Sequence, residues 1–296
     1  MSIMSAAAAG EVRGRRSSRA GRMQWSRTWT VARTELRQLA QARDYWIPMA
    51  ALGGIFFLVV PAILLLTITR VSQGDMIEKI STTLEMLPTT AQEQIHGVTQ
   101  EGRIAYALAV FLFAPIAVVV PLTISTAVGA ATLVGERERG TGEFLAHSPA
   151  TAREIYVGKL VASLVPGYMT TIIGFGLYSL LVNLIAAGDV GRWFFPTTQW
   201  LALMLWVIPP FLAFTLSLVL RLSARVKSTA AAQQAAGLVS LPLIMVSYTQ
   251  STGALFGAGV SVWVVGAVAW VVAIASLTRG VRSVTRARLL GVADGV

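Results

Sequence analysis

Long apolar segments alternate with short polar ones along the chain. Five segments carry no charged residue, at positions 47–69, 104–135, 160–188, 193–220 and 228–278. An uncharged apolar run of about 18 residues or more is a candidate transmembrane helix, and runs this continuous are not the strands of a membrane barrel. Because a backbone inside the bilayer must satisfy its own hydrogen bonds, the pattern predicts an all-α polytopic membrane protein.

The last apolar run is about twice as long as one span requires. Its middle, residues 247–253, is polar and turn-prone, so we divide the run into two spans. We therefore expect six transmembrane helices, at about 47–69, 104–134, 158–187, 196–220, 228–247 and 258–279. Prolines inside these spans predict kinks, at Pro115, Pro121, Pro209, Pro210 and Pro242.

Charge predicts how these spans are oriented. Twenty of the 24 Lys and Arg residues lie in segments 1–46, 136–159, 221–227 and 279–296, and the remaining four lie in the alternating segments. By the positive-inside rule, both termini and residues 136–159 lie in the cytoplasm, and the protein is expected in the plasma membrane. The net charge of +10 therefore reflects topology and gives no reason to expect a nucleic-acid partner. No short apolar region with a cleavage site follows the basic residues 13–22, so we expect no cleaved signal peptide.

Residues 25–46 carry apolar positions at helical spacing, with most of the arginines off that stripe. The stripe consists of Trp25, Trp29, Ala32, Leu36, Leu39 and Trp46. Because indoles suit the headgroup level, it predicts an amphipathic elbow helix on the cytoplasmic face, either a passive anchor or a contact for a partner. The flanking residues 1–24 and the closing residues 280–296 are predicted to be basic tails, the first of them disordered.

Residues 70–103 form the one sizeable segment expected outside the cytoplasm. Ile77, Ile80, Leu84 and Leu87 recur there at helical spacing, and Pro88 follows them. The segment is too short for a ligand-binding domain. We expect a small helical cap, or alternatively a gate for the substrate.

The chain offers few residues for catalysis. It has no cysteine, and its two histidines, His96 and His147, lie in loops assigned to opposite sides of the membrane. Gly158-Lys159 does not belong to a phosphate-binding loop, because Arg153 stands where that loop requires glycine. We therefore expect no enzyme activity, cofactor or metal in this chain. No charged residue is predicted deep inside a span, which disfavours an ion-coupled secondary transporter.

Charge of both signs is concentrated in one segment, GERERGTGEFLAHSPATAREIYVGKL at residues 135–160. It predicts a short helix, a turn at Ser148-Pro149, and a second helix that opens with a capping box from Thr151 to Glu154. On these grounds the segment is either a docking element across the cytoplasmic mouth of the bundle or a solvated loop.

The same segment resembles the signature loop of type-2 ABC transporter permeases. The resemblance rests on the ordered pattern Glu136-Arg-Glu-Arg-Gly-Thr141, Glu143-Phe-Leu145, Ser148-Pro149, Arg153-Glu154-Ile155 and Gly158-Lys159-Leu160. The six spans, the cytoplasmic termini and the elbow helix agree with that layout. Two residues depart from the usual pattern: Gly142 stands where a large apolar residue is common, and His147 where a small polar residue is common.

The resemblance implies a permease subunit of an ATP-binding cassette exporter. Two copies would form the substrate pathway, surrounded by membrane lipid, and a separate nucleotide-binding ATPase subunit would bind ATP and Mg²⁺. Within the loop at 135–157, the cytoplasmic coupling helix between spans two and three would comprise Glu136, Arg137, Glu138, Arg139, Thr141, Glu143, Phe144, Leu145, Ser148 and Pro149. A second, smaller contact with the ATPase would comprise Arg221, Arg225 and Lys227.

Two other classes of function remain open at this point. The chain would alternatively be a self-sufficient channel or secondary transporter whose charged loop is structural, or a membrane anchor without transport.

Overall fold

The protein is helical throughout the part that the computed structural model describes. That part covers residues 23–71, 74–85, 89–138, 148–223 and 262–283, together with six helical positions between 231 and 245. The α-helices are α1 Trp25–Gln41, α2 Arg43–Gly54, α3 Val60–Leu66, α4 Gly74–Glu85, α5 Thr89–Gln92, α6 Gln100–Ala107, α7 Ala114–Glu138, α8 Ala152–Val190, α9 Thr198–Ala202, α10 Ile208–Ser223 and α11 Val262–Ser283. The predicted all-α class is confirmed for these residues.

Five helical segments among the described residues are long and apolar enough to cross a membrane. They are Arg43–Arg70, Gln100–Thr132, Ala152–Val190, Thr198–Leu222 and Val262–Arg282. We refer to them as the α2–α3, α6–α7, α8, α9–α10 and α11 spans. The predicted fifth span, 228–247, lies mostly outside the described residues.

Three of the spans contain turns of π-helix. These turns cover Ile55–Val59, Leu108–Leu112 and Leu203–Val207, with a fourth at Thr67–Val71. The first three each end two or three residues before a proline, at Pro61, Pro115 and Pro209. Proline has no N–H to donate and its ring crowds the preceding turn, so the helix widens locally instead of breaking. The irregularity expected at Pro115 and Pro209 therefore takes the form of a π-turn beside each proline.

The α8 span lies at the centre of the bundle and runs antiparallel to two neighbours. Lys159 near its start meets Thr132 near the end of the α6–α7 span, whereas Tyr178 Oη, farther along, donates to the carbonyl of Ala109 at 2.8 Å. In the α9–α10 span, the carbonyl of Met204 accepts from Tyr168 Oη at 3.1 Å, whereas Ser217, farther along, lies against Tyr156 nearer the start of α8.

The α11 span runs in the same direction as the α9–α10 span. Near their first residues, the indole Nε1 of Trp206 donates to the carbonyl of Trp263 at 3.1 Å. Near their last residues, Ser276 Oγ donates to Ser217 Oγ at 3.2 Å. Ser223 and Val262 therefore lie at opposite ends of the bundle.

Aromatic rings fill the bundle between the α6–α7, α8 and α9–α10 spans. Trp200, which is 1% exposed, stacks on Phe175 with ring centroids 5.8 Å apart and lies 5.1 Å from Phe195. Its indole nitrogen donates to the carbonyl of Val110 at 2.8 Å. The interior of a single chain is thus packed with side chains at this level.

At the end of the bundle where α8 finishes, the segment 70–103 packs against the spans. The helical spacing of Ile77, Ile80 and Leu84 is confirmed, because all three lie in α4 and pack around Ile104. Gly102 lies directly against the backbone of Asp189, so that any larger residue there would displace it. Leu87 and Pro88 lie outside the described residues.

Candidate functional site

The described ends of the segment that is predicted to couple the chain to a partner lie at the other end of the bundle, which we call the charged end. Here α7 finishes and α8 begins. α7 continues past its spanning part to Glu138, so the backbone of Glu136, Arg137 and Glu138 extends the second span as a continuous helix.

The remaining predicted coupling residues fall into two groups. Ser148 is half-buried and Pro149 is exposed, just before α8 begins. The side chains of Glu136–Glu138 and the residues Arg139, Thr141, Glu143, Phe144 and Leu145 lie outside the described part, as do Arg225 and Lys227 of the second predicted contact. Arg221 is half-buried in the last turns of α10, at the same end of the bundle.

The predicted capping box at the start of α8 is confirmed. Thr151 Oγ1 accepts from the backbone N–H of Glu154 at 3.3 Å, and Glu154 Oε2 accepts from the N–H of Thr151 at 2.8 Å. The second oxygen of Glu154 accepts from the N–H of Gln24 at 2.7 Å. The same carboxylate therefore closes the first turn of α8 and holds the start of α1.

The elbow helix α1 is attached to the charged segment directly. Arg27 Nη1 donates to the carbonyl of Pro149 at 2.9 Å. Gly158 allows α1 to approach α8 closely, because a Cβ there would lie only 2.8 Å from a side-chain carbon of Val31. The residue that ends the predicted coupling segment is thus held by α1 and followed at once by α8.

A buried ion pair joins three helices at this end of the bundle. Lys159 Nζ donates to Glu35 Oε1 of α1 at 2.6 Å and to the carbonyl of Thr132 in α7 at 2.8 Å. The Lys159 side chain is 0% exposed, and that of Glu35 is 11% exposed. The pair therefore connects α1, α7 and α8 inside the protein.

Sequence reasoning missed this pair by treating Lys159 as a loop charge. One signal was available, since Glu35 is the only acidic residue of α1 and lies three residues after Ala32 and four before Leu39, on the apolar side. A carboxylate at such a position requires a partner when it is buried. Its partner, however, is 124 residues away in the chain.

The buried face of α1 also differs from the predicted stripe. Its buried residues are Thr28, Ala32, Glu35 and Leu39, whereas Trp25 and Trp29 are exposed. Small side chains allow α1 to lie close to α8, and the two indoles point away from the bundle, as suits the headgroup level. The helix ends at Gln41, Ala42 is extended, and Trp46 belongs to α2.

A hydrogen-bonded group of hydroxyls completes the charged end. Tyr156 Oη of α8 lies 2.9 Å from Ser217 Oγ of α10, which accepts in turn from Ser276 of α11. All three side chains are buried. Together with the ion pair, this group connects every described span except α2–α3 at the end that carries the charged segment.

These features define a multi-pass helical membrane protein in which α7 ends, α8 begins and α10 ends at the same end of the bundle. A family model described as "ABC-2 family transporter protein" matches residues 29–290, and the chain belongs to this family. It is an ABC transporter permease, so the resemblance found in the charged segment is confirmed. A comparison with curated proteins found no match.

Family membership also answers the question of catalysis. Permeases of this family lack ATPase motifs, which confirms that the chain itself is not an enzyme. Within the described residues, no group of three or more His, Asp or Glu side chains is arranged to hold a metal ion. The chemistry of the site therefore lies in charge pairing and helix contacts.

Removing the cap of α8 is expected to have a measurable effect on stability. Thr151→Ala deletes the oxygen that accepts from Glu154, and loss of such an N-cap costs about 1 kcal/mol. Thermal unfolding of the purified protein should show a lower midpoint. Thr34→Ala is a matched control, because Thr34 is exposed and bonds only to the carbonyl one turn earlier in α1. Equal shifts for both variants would contradict a capping role.

Proposed function

We propose that the chain is the permease of an ATP-driven exporter and that a separate ATPase subunit drives it through residues 136–149. The observation that carries the proposal is the attachment of both ends of this segment to the bundle. At its start, α7 continues without interruption to Glu138. At its finish, Pro149 and Glu154 are hydrogen-bonded to α1.

This arrangement is suited to transmitting a displacement. The two helices that flank the segment are tied by Lys159, which bonds to α7 and to α1 at the same time. Packed interiors transmit displacement because they resist compression. Movement of the segment would therefore shift α1, α7 and α8 together, while ATP and Mg²⁺ remain in the partner. Arg221, Arg225 and Lys227 would form the second contact with that partner.

We further propose that the chain crosses the membrane once more between Ser223 and Val262. These residues lie at opposite ends of the bundle because α11 runs parallel to the α9–α10 span. Gly237 and Ile244, two of the described helical positions between them, line a pocket beside Val119 of α7. Six crossings leave both termini on one side, which the distribution of positive charge assigns to the cytoplasm.

The position of the pathway follows from the packing of the bundle. Phe175, Phe195 and Trp200 fill the space between three of the spans, which speaks against a pore within one chain. A pathway between two copies of the chain leaves this packing intact. The proposal therefore includes a dimer of permeases, and a self-sufficient channel is the less supported alternative.

Charge reversal at the end of α7 tests the coupling. Glu136→Lys combined with Glu138→Lys is expected to reduce ATP hydrolysis by the complex with its ATPase several-fold, because carboxylates that face basic partner groups would become repulsive. The measurements are the hydrolysis rate in reconstituted vesicles and the amount of ATPase that co-purifies. The control is Glu78→Lys with Glu85→Lys, the same charge change on exposed residues of α4 at the opposite end. Unchanged hydrolysis in the first variant would refute the coupling role.

A further inference from the structure

An open apolar groove runs along the side of the bundle between α1, α2 and α8. Its volume is about 590 Å³, and its lining is almost entirely apolar. Leu36, Leu39 and Ala40 of α1 close it at the charged end, and Ile173 and Leu177 of α8 line its deeper part. Two of the three helices that line it, α2 and α8, belong to membrane spans, so most of the groove lies at the depth of the bilayer.

The shape of the groove follows from one stripe of α2 and the turn after it. Trp46, Ala50, Gly53 and Phe57 line the groove at alternating steps of four and three residues, and Arg43 precedes them on the same stripe. The small residues in the middle leave an open channel. Along the helix, the stripe therefore carries a cation, then an indole, then an apolar channel. These groups suit, in the same order, the headgroup, the interfacial region and the acyl chain of a phospholipid.

The length of the groove corresponds to one leaflet. From Trp46 to Leu58 a helix rises about 18 Å. Half of a hydrocarbon core about 30 Å thick is about 15 Å. One acyl chain that enters beside Trp46 therefore reaches Leu58, at about the midplane of the bilayer.

The mouth of the groove is positively charged. Arg33 and Arg37 are exposed on α1, on the same face as Leu36 and Ala40, and Arg43 is exposed at the start of α2. Nearby, Asp44 is exposed, and the carboxylate of Glu35 is already paired with Lys159 inside the bundle. Three guanidinium groups against one free carboxylate favour an anionic ligand.

We propose that this groove binds one phospholipid with an anionic headgroup, taken from the leaflet that contacts α1. Its headgroup would bond to Arg37 and Arg43 beside Trp46, and one chain would lie along Ala50 and Gly54. A second copy of this chain fits less well, because symmetric packing through this face would bring two sets of three arginines together. The bound lipid would support α1, the helix that holds Pro149 and Glu154.

Filling the groove tests the proposal. A Cβ at Gly54 meets no atom within 4 Å, so Gly54→Leu can project into the groove without a clash at the helix. A Cβ at Gly176 of α8 likewise meets no atom within 4 Å, and this glycine does not line the groove, which makes Gly176→Leu the matched control. Both are glycines of membrane spans replaced by the same side chain.

The measurement is native mass spectrometry of the whole protein in phosphatidylglycerol or in phosphatidylcholine with the same acyl chains. The wild-type protein is expected to retain phosphatidylglycerol at least fivefold more than phosphatidylcholine. Gly54→Leu should lose that retention at least fivefold, and Gly176→Leu should keep it. Arg37→Gln with Arg43→Gln should abolish the preference for phosphatidylglycerol. Because both arginines are exposed, this variant tests the lipid site even if Gly54→Leu does not fold.

Three results would overturn the proposal. The first is equal retention of the two lipids by the wild-type protein, and the second is unchanged retention by the arginine variant. The third is a disulfide bond between two copies of the Ile173→Cys variant, which would show that a second copy covers the groove. The variant is suited to this test because the chain has no other cysteine. None of these results bears on coupling to an ATPase, because the lipid site does not depend on the transport function.

Discussion

Glu35→Leu is expected to lower the free energy of unfolding by about 3–5 kcal/mol, because it removes the carboxylate that pairs with the buried ammonium group of Lys159. Lys159 is 0% exposed and cannot reach water in the folded protein. Its bond to the carbonyl of Thr132 supplies no negative charge to offset the ammonium group. Unfolding of the detergent-solubilised protein by heat or denaturant should show the loss directly.

The double variant Glu35→Leu with Lys159→Met is the control. Replacing both members of a buried pair by apolar residues of similar size is often neutral or stabilising. Most of the lost stability should therefore return in the double variant, although each single substitution is damaging. If the double variant lost as much free energy of unfolding as the two single variants together, the loss in Glu35→Leu would not be due to the ion pair.

The same double variant separates stability from coupling. If the pair matters only for folding, the complex of the double variant with the proposed ATPase subunit should hydrolyse ATP at the wild-type rate. A stable double variant with reduced hydrolysis would show that the polar contact also positions α1, α7 and α8. This readout distinguishes the pair from an ordinary buried contact.

The features that sequence predicted well depend on residues close together in the chain. Uncharged runs revealed the spans, and the capping box needed only Thr151 and Glu154. The irregularity predicted at Pro115 and Pro209 takes the form of a π-turn before each proline, and it follows from a missing N–H a few residues away. In each case the physical cause lies within one or two helical turns.

The features that sequence missed depend on which helices become neighbours. Glu35 and Lys159 are paired only because Gly158 lets α1 lie against α8. The buried face of α1 differs from its apolar stripe, because Trp25 and Trp29 of the stripe are exposed whereas Glu35 is buried. In a membrane, an indole is at least as stable at the headgroup level as inside a helix bundle. The hydrophobicity of a side chain alone therefore does not decide whether it faces lipid or protein.

At the opposite end of the bundle, one amide holds the turn that follows α8. Asn183 is 2% exposed, and its Oδ1 accepts from the backbone N–H groups of Phe194 at 3.0 Å and Phe195 at 3.2 Å. Its Nδ2 donates to the carbonyl of Ser179 at 2.8 Å and also to that of Phe195. This turn carries Phe195 into the aromatic packing around Trp200.

Asn183→Leu should therefore destabilise the protein by about 3 kcal/mol, because each buried N–H left without an acceptor costs about 1–3 kcal/mol. Thermal unfolding measures the loss, and tryptophan fluorescence should shift to longer wavelength as Trp200 becomes less protected. Gln199→Leu is the matched control, since it changes an amide in the next span that is only half-buried, and its effect should be small. Equal losses in the two variants would mean that the turn is held by aromatic packing alone. A large loss confined to Asn183→Leu would show that a single polar side chain fixes the end of the bundle farthest from the charged segment.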